Sequence, residues 1–192
     1  MTDDQDDSAL WASAQHDDGA AFAALFDRHQ ARVHRRAMSL VDGQHDAEDV
    51  TAAAFYELWR KRKGVVLVAG SVLPWLLVTT VNLARNTRRA AMRYRSLLAR
   101  LPRDDAAVIA VDAELVELRR RLEESLRGLS ATDAALLVLT TVEGMPVWEA
   151  AQAVGLKPPT ARVRLHRTRR RLRADLHDLD PSFTATPGGA SS

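Results

Sequence analysis

"VWEAAQAVGLKPPTARVRLHRTRRRLRADL", residues 147–176, decides the fold. Its first part, Val147 to Val154, reads as a short helix. Ala151 is small where two helices must cross closely, and Gly155, four residues on, permits a sharp turn with positive φ. A second helix begins near Pro159. On it Ala161, Leu165, Thr168, Leu172 and Leu176 follow a 4, 3, 4, 4 spacing, so one face can pack while the arginines face outward. From Lys157 to Arg173 there are eight basic residues and no acid. A short helix, a glycine turn and a basic amphipathic helix make the layout of a helix-turn-helix, which presents the N-terminal residues of its second helix to a major groove. Membrane-surface helices and calmodulin targets share the charge pattern but do not need the turn. The basic helix also has almost no large aromatic residue for a lipid interface. DNA is therefore the expected polyanion.

Working outward, "SATD" at Ser130–Asp133 resembles a capping box that opens a helix closed by Gly144. Before it, Leu115, Leu118, Leu122 and Leu126 lie on one face of a helix broken at Gly128. Residues 101–113 lack strong periodicity and read as a linker. Upstream, Phe22, Leu25, Phe26, His29, Val33, Ala37 and Leu40 mark a helix ending near Gly43. Ala47, Val50, Ala54, Phe55, Leu58 and Trp59 mark a second, ending in "KRKG", and Trp75, Val78, Thr79, Asn82, Leu83 and Asn86 a third. Ser71 can cap the third, with Pro74 in its first turn, where the missing N–H costs little. "GVVLVAG", residues 64–70, is apolar enough for a strand but has no second strand to pair with, so it reads as a connection.

The fold expected is all-α: two small helical domains joined by a linker, the C-terminal one containing a helix-turn-helix. The boundaries are an acidic N-terminal tail at 1–18, a first domain at 19–100, the linker at 101–113, a second domain at 114–178 and a disordered tail at 179–192. The 192 residues carry a net charge of only +2, unevenly placed. Residues 1–18 hold six aspartates and no Lys or Arg, whereas 85–103 hold seven arginines and no acid. That asymmetry points to a polyanion met at two places. With no cysteine there is neither a disulfide framework nor a thiolate metal site. The acidic start is unlike a secretory signal, and the longest apolar run is too short to span a bilayer. A cytoplasmic protein without membrane insertion is expected. No HExxH, Gly-rich phosphate loop or other catalytic constellation appears, so neither enzyme nor cofactor chemistry is expected: catalytic residues none, metal none.

Two motifs resemble the extracytoplasmic-function (ECF) sigma factors of bacterial RNA polymerase. One is "HDAEDVTAAAFYELW" at His45–Trp59, followed by "PWLLVTTVNLARNTRR" at Pro74–Arg89. The other is "GLSATDAALLVLTTVEGMPVWEAAQAVGLKPPTARVRLHRTRRRLR" at Gly128–Arg173. Together they cover residues 20–175. The chain departs from the family where Ala52 replaces a common Gln, Asn86 an Asp, and Pro159-Thr160-Ala161 a Gly-Thr-Val.

The resemblance implies a first domain (sigma region 2) that clamps the polymerase core and binds the −10 element, and a second (sigma region 4) that reads the −35 element. It places the polymerase clamp against Asp46, Glu48, Asp49, Val50 and Phe55. It places the melted −10 strand against Asn82, Arg85, Asn86, Arg88 and Arg89, with Trp75 and Tyr94 as stacking candidates. It places the −35 element against Thr160, Arg162, Arg164 and Arg167, leaving Arg169, Arg170, Arg171 and Arg173 to phosphates or the polymerase flap. The family's counterpart of the 64–70 loop helps to capture a flipped base, and an anti-sigma factor is the expected regulatory partner. Two alternatives stay open at this point: a stand-alone helix-turn-helix regulator, and a sigma mimic that titrates an anti-sigma factor.

Overall fold

In a computed structural model that describes residues 6–98 and 113–176, the helical periodicities resolve into helices, and no strand is formed among the described residues. The first half contains α1 (Asp7–Gln15), α2 (Gly19–Met38), α3 (Gln44–Arg60) and α4 (Leu73–Leu98). The second contains α5 (Ala113–Arg127), α6 (Ala131–Leu137), α7 (Val147–Ala153) and α8 (Pro158–Leu176). A π-helical segment, Val138–Val142, continues α6.

Local chemistry explains the boundaries. Asp18 Oδ1 accepts the Ala20 and Ala21 N–H groups at 2.9 and 3.1 Å, satisfying two donors that the first turn of α2 leaves without partners. Ser130 Oγ accepts the Asp133 N–H at 3.1 Å and so opens α6, as its capping sequence predicts. Ser71 Oγ accepts the Leu73 N–H at 3.1 Å, just ahead of Pro74. Gly155 turns the chain between α7 and α8 at φ +71°, and Ala151 is fully buried where these helices meet.

Residues 1–18 differ from the expected acidic tail. Asp7–Gln15 form α1, whose Leu10, Trp11 and Ala14 are buried with Leu25, Val33, Phe55, Leu58 and Leu76 in the core of the first half. Truncating a tryptophan so placed costs about 3–5 kcal/mol. Linker residues before Ala113 and the tail at 179–192 lie outside the described residues.

Helix α4 belongs to both halves. Its Leu76 faces the first core, and its Leu77 packs with Leu136, Leu139, Ala150, Ala151, Ala161 and Leu165 of the second half. One turn on, Val81 joins Leu129, Ala134 and Ala135. The second half therefore completes its apolar faces against α4 rather than by itself.

Candidate nucleic-acid and polymerase interfaces

Three surfaces gather the residues singled out in the sequence. On the first, Asp46 lies in the first turn of α3, where a carboxylate meets the positive end of the helix dipole. Glu48 and Asp49 are exposed beside it. Val50 and Phe55 correct the expected set. They are 2% and 3% exposed, and the Phe55 ring packs on Phe26 at 4.6 Å, so both are core residues that support this face from beneath. Burial follows from their place on the apolar stripe of α3, which the helical spacing requires to face inward. The outer face carries Ala52 and Tyr56 instead, the latter 64% exposed.

The second surface is the polar side of α4 with the loop that precedes it. Asn86 and Arg89 are exposed. Asn82 is half-buried, and its Oδ1 is buried with no hydrogen-bond partner. Arg85 reaches across to the second half, donating to the carbonyls of Leu129 at 2.6 Å and Leu126 at 3.4 Å. Burial, with Arg89 nearby, lowers the Arg85 pKa from its ordinary value. Arg88 pairs with Glu123 at 3.4 Å. The structure thus brings the two asparagines and three arginines together on one helix but commits two of the arginines to the second half. Tyr94 is exposed farther along. Trp75 instead lines a cleft with Arg60, Lys61, Arg62, Lys63 and Gly64. Arg62 stacks over Trp59 at 4.2 Å and pairs with Asp17. Three of these four cations stand in the sequence as "KRKG" closing a helix; their convergence with Arg60 beside an indole needed the fold.

The third surface is the start of α8. Thr160, Arg162 and Arg167 are exposed. Thr160 and Arg167 line a cleft with Asp133, Pro159, Val163 and Arg164. Arg164 differs from its expected freedom. Its Nε donates to Asp133 Oδ1 at 2.7 Å and its Nη2 to Ser130 Oγ at 3.2 Å, tying α8 to the cap of α6. The Arg164 hydrogen bond holds the Asp133 carboxyl below its ordinary range against the effect of burial, and Asp133 in turn raises Arg164. The bond arises because the capping acid of α6 and the seventh residue of α8 face each other across the helix crossing.

Sequence reasoning missed an acid between the halves. Glu143 follows the π segment and its side chain is 5% exposed. It accepts from Arg32 Nε at 3.0 Å and Arg36 Nε at 2.6 Å, both on α2. No local signal marks such a pairing, since the partners lie 111 and 107 residues away. Among the described residues no helix is long and apolar enough to cross a membrane.

Comparison with known proteins places these surfaces in context. Residues 25–94 match Sigma-70 region 2 and residues 119–172 match Sigma-70, region 4. The chain is 33% identical over 165 residues to the RNA polymerase sigma factor CarQ of Myxococcus xanthus, covering 85% of this chain and 94% of CarQ. It is 33% identical over 155 residues to the ECF RNA polymerase sigma factor SigE of Mycolicibacterium smegmatis, covering 78% of this chain and 59% of SigE. The solved structure of CnrH in complex with the cytosolic domain of CnrY is similar at a TM-score of 0.56 and 27% identity, covering 91% of this chain and 98% of the matched one.

Proposed function

The chain belongs to the extracytoplasmic-function sigma factors, the subunits that direct bacterial RNA polymerase to particular promoters, and from that membership we propose how its surfaces divide the work. It acts by binding, not by catalysis, and works in the cytoplasm with the polymerase. The acidic start of α3, Asp46, Glu48 and Asp49, meets the polymerase clamp. Val50 and Phe55 hold that face rigid from the core. Asn82 and Asn86 contact bases of the melted −10 strand, while Arg85, Arg88 and Arg89 hold its phosphates. The 64–70 loop, beside the cleft of Trp75 and the Arg60–Lys63 cations, receives an unstacked base, since such a base needs a planar partner and compensating charge.

Thr160, Arg162 and Arg167 read or clamp the −35 element, with Arg164 beside them in the cleft that Thr160 and Arg167 line. The observation that carries this reading is the start of α8. A positive-φ glycine turn is followed by a helix whose buried face, Ala161, Leu165 and Thr168, leaves Thr160, Arg162 and Arg167 outward at its N-terminal end. An anti-sigma factor is the proposed regulatory partner; the similar CnrH was solved bound to the cytosolic domain of CnrY.

Reconstitution with core polymerase tests the reading. Run-off transcription from a promoter library should yield transcripts that share one −35 and one −10 motif. Operator binding without polymerase, and no transcripts with it, would instead make the chain a stand-alone regulator.

A further inference from the structure

We infer that α1 is a positioning element for −10 recognition: side-chain donors along it set the shape of the 62–71 loop before promoter DNA arrives. The inference rests on the reading above that this loop meets the melted strand. Ser8, Trp11 and Gln15 are spaced 3 and 4 apart and so share one face of α1. Each donates a side-chain hydrogen bond to a different loop carbonyl. Gln15 Nε2 reaches Arg62 O at 3.0 Å, Trp11 Nε1 reaches Val65 O at 3.4 Å, and Ser8 Oγ reaches Gly70 O at 3.1 Å. Helix and loop therefore run antiparallel, with α1 supplying donors that an irregular segment cannot find in itself.

Asp7 closes the arrangement. Buried at the start of α1, it accepts from Ser71 Oγ at 2.5 Å, from Arg28 at 2.8 Å and from His29 Nε2 at 2.7 Å. Ser71 also accepts the Leu73 N–H, so the same contact ties α1 to the first turn of α4, the helix that carries Asn82 and Asn86.

The loop tip shows why such support matters. Val68 and Ser71 exchange both backbone hydrogen bonds, at 3.1 and 3.0 Å, around a two-residue turn. Its central residues, Ala69 and Gly70, have φ of +50° and +76°. Positive φ at both positions is the type I′ geometry that favours Asn-Gly or Gly-Gly, and alanine pays a steric cost there. A strained turn persists only where its surroundings over-determine it. Here the anchors are Ser8 on Gly70 and Asp7 on Ser71. Between anchored Val65 and buried Val68, Val66 stands 71% exposed. A rigid backbone presenting one apolar side chain is suited to discriminate among bases by shape, because no part of the binding energy goes into ordering it.

The test uses the full chain assembled with core polymerase and templates randomised across the −10 element. In Ser8→Ala/Gln15→Ala, base discrimination at one −10 position should fall about 3- to 10-fold, the scale of lost neutral hydrogen bonds. Polymerase binding and −35 dependence should be unchanged. Val66→Ala should alter preference at the same position, and Ser8→Thr/Gln15→Ala, which restores the hydroxyl, should recover part of the discrimination. A double variant that melts early is replaced by Gln15→Ala alone, whose side chain lies outside the apolar core. If Val66→Ala shifts base preference but the α1 variants keep it, or lower all templates alike, the inference is overturned while the −10 reading stands. If neither shifts it, the loop does not meet the strand and both fall.

Discussion

Arg164 and Arg167 lie three apart on α8 and have the same chemistry, yet the fold gives them different prospects. Arg164 is shared between Asp133 and Ser130, whereas Arg167 is exposed on the helix surface. Arg164→Ala should therefore lower the stability of the second half by about 1 kcal/mol, the worth of a partly exposed charge-assisted contact. Arg167→Ala should leave thermal unfolding unchanged and weaken promoter binding. A loss of about 1–3 kcal/mol confined to one −35 base would mark it as a base reader; a uniform loss with a salt slope shallower by about one would mark a phosphate contact. Equal melting of the two variants would refute the distinction. Asp7 gives the first half a pH-dependent contribution to its stability. Burial pushes its carboxyl up, but hydrogen bonds from His29, Ser71 and Arg28 outweigh it and hold the group well below the usual carboxylate range. A depressed native pKa means that the unfolded chain takes up the proton first, so the stabilisation is complete above about pH 4 and declines as pH falls below it. Urea unfolding should find Asp7→Asn less stable than the parent at pH 7, with the gap closing as the solution is acidified below pH 4. A gap independent of pH would exclude the charge as its source.

Whole elements were legible in the sequence where one apolar stripe opposes one polar face. Helices α3, α4 and α8 announce themselves by spacing, and Ser130 and Gly155 by the chemistry of their turns. Helix α1 was hidden because six aspartates dominate residues 1–18; its signal, Leu10, Trp11 and Ala14 on one face, is only two turns long. The candidate sites were legible as exposed charge but not as charge already engaged. Asp133, Glu123 and Glu143 come from elsewhere in the chain, and spacing along α2, α4 or α8 cannot reveal them. The same limit applies to the asparagine pair. Spacing puts Asn82 and Asn86 on one face, but the fold leaves Asn86 exposed and buries Asn82 Oδ1 without a partner. An unsatisfied buried oxygen costs about 1–3 kcal/mol. Asn82→Ala should therefore leave the free protein as stable as the parent or more so, and Asn86→Ala should leave it unchanged. If both amides meet the melted strand, each variant should reduce permanganate reactivity of unpaired −10 thymines while closed-promoter binding persists, and a pre-melted bubble should restore part of the activity. A drop in thermal stability of Asn82→Ala would show that its amide is satisfied within the fold after all.

At the scale of the molecule, the two halves are held together by unlike forces. Leu77 and Val81 of α4 provide an apolar contact that has no directional preference. Glu143 provides a directional one, beside those of Arg85 and Arg88, because the π segment adds a residue to the turn and brings this acid between Arg32 and Arg36. The same closure seats Arg85 on the carbonyls of Leu126, in the last turn of α5, and Leu129, just past it, so an arginine proposed for −10 phosphates becomes available only when the second half moves away. Glu143→Gln keeps the volume and removes the charge. It should weaken the closed arrangement by about 2 kcal/mol, the scale of hydrogen bonds to charged groups, or about 30-fold in the ratio of closed to open chains. The chain has no cysteine, so dyes placed at Gln30→Cys and Gln152→Cys, both exposed in the parent, report the separation of the halves by energy transfer. The variant should show a longer mean distance and bind a single-stranded −10 oligonucleotide more tightly. Arg85→Ala added to it should cancel that gain, because the gain runs through the released guanidinium. An unchanged distance would mean that the apolar contact alone sets the closure. A longer distance without tighter binding would mean that Arg85 serves the Leu126 and Leu129 carbonyls and not the promoter strand.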